Sequence, residues 1–395
     1  MEPRHISFLL GAGFSVPKGY PTAKCLNEEL LSFENNSNVC FSAEGRLVED
    51  CAGCYEKFTF QNPYQRKFML CKKLIKEYSN ARDGKFDYEE FYDFLKSDGV
   101  NELRYRSLFD NENAYGETYE DSLHALPNIY NQMVMSLLKD KDGKHDYNIF
   151  HVGNVEGYNG FLHALSELSR DYVVDVHTLN HDLLFESFNK TEIINEKISD
   201  GFDEFGSEYY GKLNFDDSEY HCRLERFTNR YCTPIRLYKL HGSRDYVRYY
   251  RSSGAFKVPD NYVKLKRLIS PGDIIRSIKS KREYDDSFEI NTFCMTGMVS
   301  KQNLYNEPLM IRKLFKRFRS NLHKAELLIV IGYGCKDEGI NKIIKENYDY
   351  KAKQVIVIDV GKDDSVLNFA KETNAKHFTT GVEHFDLEML RQYLR

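Results

Sequence analysis

Two short polar stretches hold side chains able to move a proton or to fix a hydroxyl group. In "HTLNHD", residues 177–182, extended backbone places Thr178, Asn180 and Asp182 on one face, because side chains alternate along a strand. A capping role for Asn180 or Asp182 on the helical segment that follows explains one polar residue and leaves the trio unexplained. In "KLHGS", residues 239–243, His241 stands at the end of an apolar run with Gly242 behind it. An imidazole that titrates near about 6.5 serves as a base at neutral pH without extreme tuning.

A third stretch, "ISFLLGAGFS", breaks from an apolar run into Gly11, Ala12 and Gly13 and then Ser15. A run this short, bounded at once by glycine, is a buried strand with a turn at its carboxyl end. Glycines let a phosphate approach the backbone, and free N–H groups of the turn and of a helix start are donors for an anion. A nucleotide diphosphate is the guest that suits them. The fingerprint G-x-G-x-x-G of hydride-transfer enzymes is not met, since its third glycine falls on Val16, and no acidic residue ends a second strand at the required distance. A fourth stretch, "VIGYGCKD", supplies Gly332 and Gly334, and Asp359 closes "VIVID".

These stretches need a frame that gathers strand ends. Leu26, Leu30 and Phe33 fall at helical spacing after Pro21 and Thr22, so the chain opens as strand, glycine turn, loop, helix. From residue 161 the alternation resumes: helix "FLHALSELSRD", strand "YVVDVHT", helix "DLLFESFNK", strand "PIRLYKLHG", helix "IRKLFKRFRSNLHKA", strand "ELLIVIGYG", helix "EGINKIIKENY", strand "QVIVIDVG", then the sheet element "KHFTTG" and the helix "HFDLEMLRQYL". This is the order of an α/β, Rossmann-like, mostly parallel doubly wound sheet, and such sheets bind ligands beyond the carboxyl ends of their strands. Residues 1–34 and 155–395 are assigned to that domain. Residues 35–154, with Tyr88, Phe91, Tyr92 and Leu95 on one helical face and Ile129, Met133 and Leu137 on another, form a mainly helical, aromatic-rich insertion.

Composition narrows the function classes. With 55 basic and 60 acidic side chains the formal charge is -5, so the total does not advertise nucleic-acid binding. No apolar stretch reaches the roughly 18 residues of a membrane span, and no secretory leader opens the chain, which gives a cytoplasmic expectation. Nine cysteines lack the spacing of a secreted disulfide framework and are read as thiols. Cys51 and Cys54 form a C-x-x-C without a second pair at zinc-site spacing, and no metal is expected.

Taken in order, "GAGFS", "TLNHD", "KLHGS" and "VIGYGCKDEGIN" resemble the sirtuin-like NAD-binding domain, and within it the bacterial defence branch more than the protein deacylases. The resemblance covers residues 6–33, 161–190, 235–247 and roughly 305–395. It implies that Gly11, Ala12, Gly13 and Ser15 line the dinucleotide pyrophosphate. Thr178, Asn180 and Asp182 face the nicotinamide ribose and carboxamide, and His241 is the catalytic histidine with Asn180 as its companion. Gly332 and Gly334 sit by the adenosine half, with Asp359 at the adenosine ribose. The chain departs from deacylases at Leu179, where they have glutamine, and at "GYPTAK"; only Cys294 and Cys335 follow His241, so the four-cysteine zinc module is missing. The implied activity is cleavage of NAD to nicotinamide and ADP-ribose in anti-phage defence. The alternatives are a non-catalytic NAD or ADP-ribose sensor and, further off, a deacylase. The implied assembly is a homo-oligomer controlled by a HerA-type ATPase, with a short argonaute as second choice. The aromatic blocks are its candidate contact surfaces; the basic stretch Arg312–Arg319 is a candidate for DNA or for a partner's acidic face, although a charge run on a helix is more often just solvated.

Overall fold

The computed structural model describes residues 3–33, 39–43, 45–49, 62–109, 118–143, 155, 157–216, 218–249, 261–266, 269, 273–275, 309–361 and 363–394. Among these, one compact unit comprises residues up to Tyr20 and from Asp140 onward, and the other comprises Pro21 to Lys139.

The first unit is built on a seven-stranded sheet. Its strands are β1 (Arg4–Leu10), β2 (Tyr172–Thr178), β3 (Ile198–Ser199), β4 (Ile235–Lys239), β5 (Ala325–Ile331), β6 (Gln354–Ile358) and β7 (Lys376–Phe378). They lie in the order β7-β6-β5-β1-β2-β4-β3, and every pairing is parallel. The expected mostly parallel α/β sheet is therefore present. The order reverses beside β1, so the β1 end faces the point where chain connections diverge to opposite sides.

Burial on both faces explains why β5 and β6 read as near-continuous apolar runs. One face, with Ile6, Phe8 and Leu10 of β1, Val174 and Val176 of β2 and Leu237 of β4, packs on the helix Asn159–Asp171 through Phe161, Leu162 and Leu165. The opposite face meets the helix Leu309–Lys324, which buries Leu314, Phe315, Phe318 and Leu322.

Under that second helix the sheet is polar at its centre. His5 Nδ1 lies 2.7 Å from Asp175 Oδ2, and Tyr238 donates to Asp175 Oδ1 at 3.0 Å. His177 stacks on Tyr238, sits 3.1 Å from the Phe8 carbonyl through Nδ1, and meets Asn321 Nδ2 through Nε2 at 3.2 Å. These partners hold His177 with its proton on Nδ1, and burial pushes the ring down to about 4, so it is neutral.

Of two segments expected as helices, "DLLFESFNK" is one α-helical turn, Leu184–Ser187, continued as a 3-10 turn over Phe188–Lys190, and "HFDLEMLRQYL" is α-helical only at Glu388–Arg391. The block between β3 and the second helix holds antiparallel pairs, among them Tyr210–Phe215 with Ser218–Arg223, and Tyr246–Tyr249 with Asn261–Lys264.

The second unit is helical. Its longer helices are α1 (Ala23–Ser32), α2 (Pro63–Asn80), α3 (Tyr88–Leu95) and α4 (Tyr119–Leu137). Thr22 caps α1 by accepting from the Cys25 amide, and Leu26 and Leu30 are buried, as the spacing predicts. Cys51 and Cys54, like Cys294 of the first unit, lie outside the described residues.

Candidate active site

Four strand ends converge at the carboxyl edge of the sheet. The β1 loop is held by Gly11 N to Ile331 O at 3.0 Å and by Gly13 N to Gly332 O at 2.8 Å. The β2 loop is tied to β1 by Leu179 N to Leu10 O at 3.1 Å, and the β4 loop to β2 by Leu240 N to Thr178 O at 2.9 Å and Arg244 N to His181 O at 3.3 Å. Short parallel strands in register thus bring together loops far apart in sequence.

The glycines are explained by contact between two of these loops. Gly332 has φ of +62°, and a Cβ there would fall 2.2 Å from Phe14 N and 2.4 Å from the Gly13 carbonyl carbon. A Cβ on Gly11 would meet Gly332 O at 2.6 Å, and one on Gly13 would meet Gly332 Cα at 2.8 Å. Only glycine lets the backbones touch in this way. The turn's amides differ from the expected free donors: Gly11, Gly13, Phe14 and Ser15 all donate to carbonyls, which leaves Ala12 N uncommitted among residues 11–15. Among the described residues, the open amides lie on the β5 loop instead, at Gly334, Cys335 and Lys336, and no described atom comes within 4 Å of the position a Cβ on Gly334 would take.

Thr178, Asn180 and Asp182 do gather, through a hydrogen-bond chain centred on Ser15. Asn180 Nδ2 donates to Gly11 O and to Ser15 Oγ, both at 3.0 Å, and Ser15 Oγ donates to Asp182 Oδ2 at 2.9 Å. Thr178 Oγ1 accepts the Asn180 amide at 3.0 Å, and Asp182 Oδ1 accepts the Leu184 amide at 3.0 Å from one residue before the N-cap position, which Leu183 holds. Both Asn180 donors are committed. Its Oδ1 has no donor among the described residues.

His241 is buried at the end of β4, with its ring centroid 6.2 Å from that of His181. Its Nε2 has no hydrogen-bond partner and lies 4.0 Å from Asp337 Oδ2, which also has none. Burial lowers the His241 imidazole below its ordinary value, and the Asp337 carboxylate pulls it part of the way back. At neutral pH the ring is therefore uncharged and can accept a proton.

No protein-family model matches the chain, and no curated protein matches it. Among solved structures it is similar to a Sir2 homolog–NAD complex, at 14% identity over 99% of this chain and 90% of that one, with a TM-score of 0.36. It is also similar to Sir2 bound to acetylated peptide, at 12% identity over 99% of this chain and 94% of that one, with a TM-score of 0.37. Sir2Tm bound to a propionylated peptide gives 12% identity, 99% and 94% coverage and a TM-score of 0.36. At these scores the likeness adds nothing to what the side chains show.

Asp359 follows β6 and accepts the Gly361 amide at 2.6 Å, and its carboxyl is raised by burial. Two residues close to the candidate chemistry escaped the sequence reading as individuals. Lys239, buried at the end of β4, donates to the Asp182 carbonyl and pairs with Glu186 at 2.8 Å, which fixes the β2 loop from below. Asp337 is the N-cap of the helix Glu338–Asn347 and accepts from the Ile340 amide at 3.0 Å. An aspartate three residues before an apolar helical position is a capping signal in sequence, but nothing there reveals that its second oxygen faces His241.

Proposed function

We propose that the chain is an NAD glycohydrolase, which breaks the bond between nicotinamide and ribose and yields nicotinamide and ADP-ribose. The observation that supports this reading is His241: a buried, neutral imidazole with neither nitrogen hydrogen-bonded among the described residues, at the edge where the β1, β2, β4 and β5 loops meet. The nicotinamide of NAD is already cationic and leaves neutral, so departure needs no general acid. The demand falls on an oxocarbenium-like transition state and on the attacking water. Asn180, locked by its two donated bonds, offers Oδ1 to a ribose hydroxyl, and locking removes the reorganisation that a free side chain would require. His241 takes the proton of the attacking water or of a ribose hydroxyl. The amides at Gly334, Cys335 and Lys336 are donors for a phosphate oxygen.

An enzyme that consumes NAD must be held in check in its own cell. The proposed setting is cytoplasmic anti-phage defence by NAD depletion, with the chain as a homo-oligomer under a HerA-type ATPase, and a short argonaute as second choice. On Leu309–Lys324, Arg317 is engaged with Asn229 and the Tyr231 ring, whereas Arg312 and Lys316 are exposed and available to a partner.

Proton NMR of NAD incubated with the protein, alone and with the product of the neighbouring gene, tests the reading beside His241→Ala and Asn180→Ala. Nicotinamide and ADP-ribose should appear only with both residues intact. NAD that binds and survives every condition would instead mark the chain as a sensor.

A further inference from the structure

The His241 ring has two nitrogens in different surroundings. Nε2 is buried, unpartnered and 4.0 Å from the Asp337 carboxylate oxygen, whereas Nδ1, also without a hydrogen bond among the described residues, is not fully buried. Asp337 is asymmetric in the same way: Oδ1 is fixed by the Ile340 amide, and Oδ2 is buried, unpartnered and aimed at the ring. Among the described residues, the titratable side chains near His241 are Asp337, from the start of the helix Glu338–Asn347, and His181, from the β2 loop. Two buried polar atoms left without partners are costly, and each is the natural complement of the other. Their 4.0 Å gap closes to a hydrogen bond with a shift of about 1 Å, and catalytic contacts are commonly long before substrate binds.

We propose that Asp337 is the positioning partner of His241: its carboxylate accepts the Nε2 proton and so leaves the lone pair on Nδ1, the nitrogen that acts as base. The assignment rests on the glycohydrolase reading. In the reaction a water oxygen bonds to the ribose C1′ as the C1′–N bond breaks and its electron pair returns to nicotinamide. The water's proton passes to His241 Nδ1. The imidazolium so formed faces the Asp337 carboxylate, and the proton is later released to solvent. Asp337 therefore has two roles, one oxygen fixing the helix start and the other fixing the tautomer.

Asp337→Asn separates the two roles. Asparagine caps a helix about as well as aspartate, so the fold should be retained. Its amide, however, offers a donor to Nε2 and so moves the ring proton to Nδ1. The kcat for NAD should fall on the order of 10⁴-fold, by analogy with other histidines held in the wrong tautomer, with little change in KM. The acid limb of the residual pH–rate profile should move to lower pH, since the negative neighbour that raises the His241 pKa is gone. Nitrogen-15 NMR of the histidines, with His241 identified by its loss in His241→Ala, should show protonation at Nε2 in the parent and at Nδ1 in Asp337→Asn. Asp337→Ser, which also caps without charge, replaces the asparagine variant if that one unfolds. Unchanged kcat and pH profile, or the same tautomer in parent and variant, overturns the assignment. If the parent hydrolyses no NAD, the glycohydrolase reading fails while the nitrogen spectra still decide the pairing.

Discussion

Replacing Asn180 by alanine should weaken the fold as well as any chemistry, and the size of the first effect follows from the bonds involved. The variant loses two hydrogen bonds from Nδ2, to Gly11 O and to Ser15 Oγ. Neither acceptor is orphaned: Gly11 O still accepts the Phe14 amide at 3.0 Å, and Ser15 still donates to Asp182. The cost is therefore the net value of two ordinary bonds, about 1–3 kcal/mol, and not the larger penalty of a stranded buried group. Urea unfolding measures it directly as a lower midpoint at constant slope. Ser15→Ala is the internal control, because it removes the middle of the same chain without touching Asn180 Oδ1. It should cost more stability, because it strands the buried Asp182 Oδ2 and one Asn180 Nδ2 hydrogen, and yet retain more NAD cleavage than Asn180→Ala. If Asn180→Ala unfolds at the parent's urea concentration, the chain of bonds does not hold the β1 and β2 loops. If Ser15→Ala and Asn180→Ala lose activity equally, Asn180 acts through loop geometry and not through Oδ1.

Gly332→Ala should be among the more damaging single substitutions at the site, since a Cβ there meets backbone and not a movable side chain, on a residue of positive φ. Overpacking and left-handed strain together suggest a loss of about 2–5 kcal/mol, read as a fall in the thermal midpoint. Acid should weaken the fold through His177, whose pKa is about 4 in the native protein against about 6.5 in the unfolded chain. The stabilisation is complete above about 6.5 and is lost as pH falls toward 4, because the unfolded chain binds the proton first; the full effect is about 3 kcal/mol. Unfolding free energies across that window should fall in the parent and fall less in His177→Phe, and equal slopes would remove His177 as the cause.

The alternation of apolar strands and amphipathic helices is readable because local patterns respond to burial in a regular way. "YVVDVHT", "ELLIVIGYG" and "QVIVIDVG" are strands near their expected limits, and Leu26 and Leu30 bury the face that their spacing marks. "DLLFESFNK" has the same apolar density but gives one α-helical turn that tightens into a 3-10 turn through Lys190, a distinction composition does not carry. The antiparallel pairs between β3 and Leu309–Lys324 were equally hidden, since their aromatic and acidic residues do not alternate cleanly.

At the candidate site, residue type and strand-end position singled out His241, Asn180, Thr178, Asp182, Ser15 and the glycines from local sequence, because a strand ending in a polar or glycine turn is a short-range feature. What each of them touches depends on residues far along the chain. Ser15 links Asn180 and Asp182, Gly332 makes room for Gly13, and Asp337 turns one oxygen toward His241. Such partnerships arise only when parallel strands in register set separate loops side by side, and neither spacing nor periodicity encodes that distance.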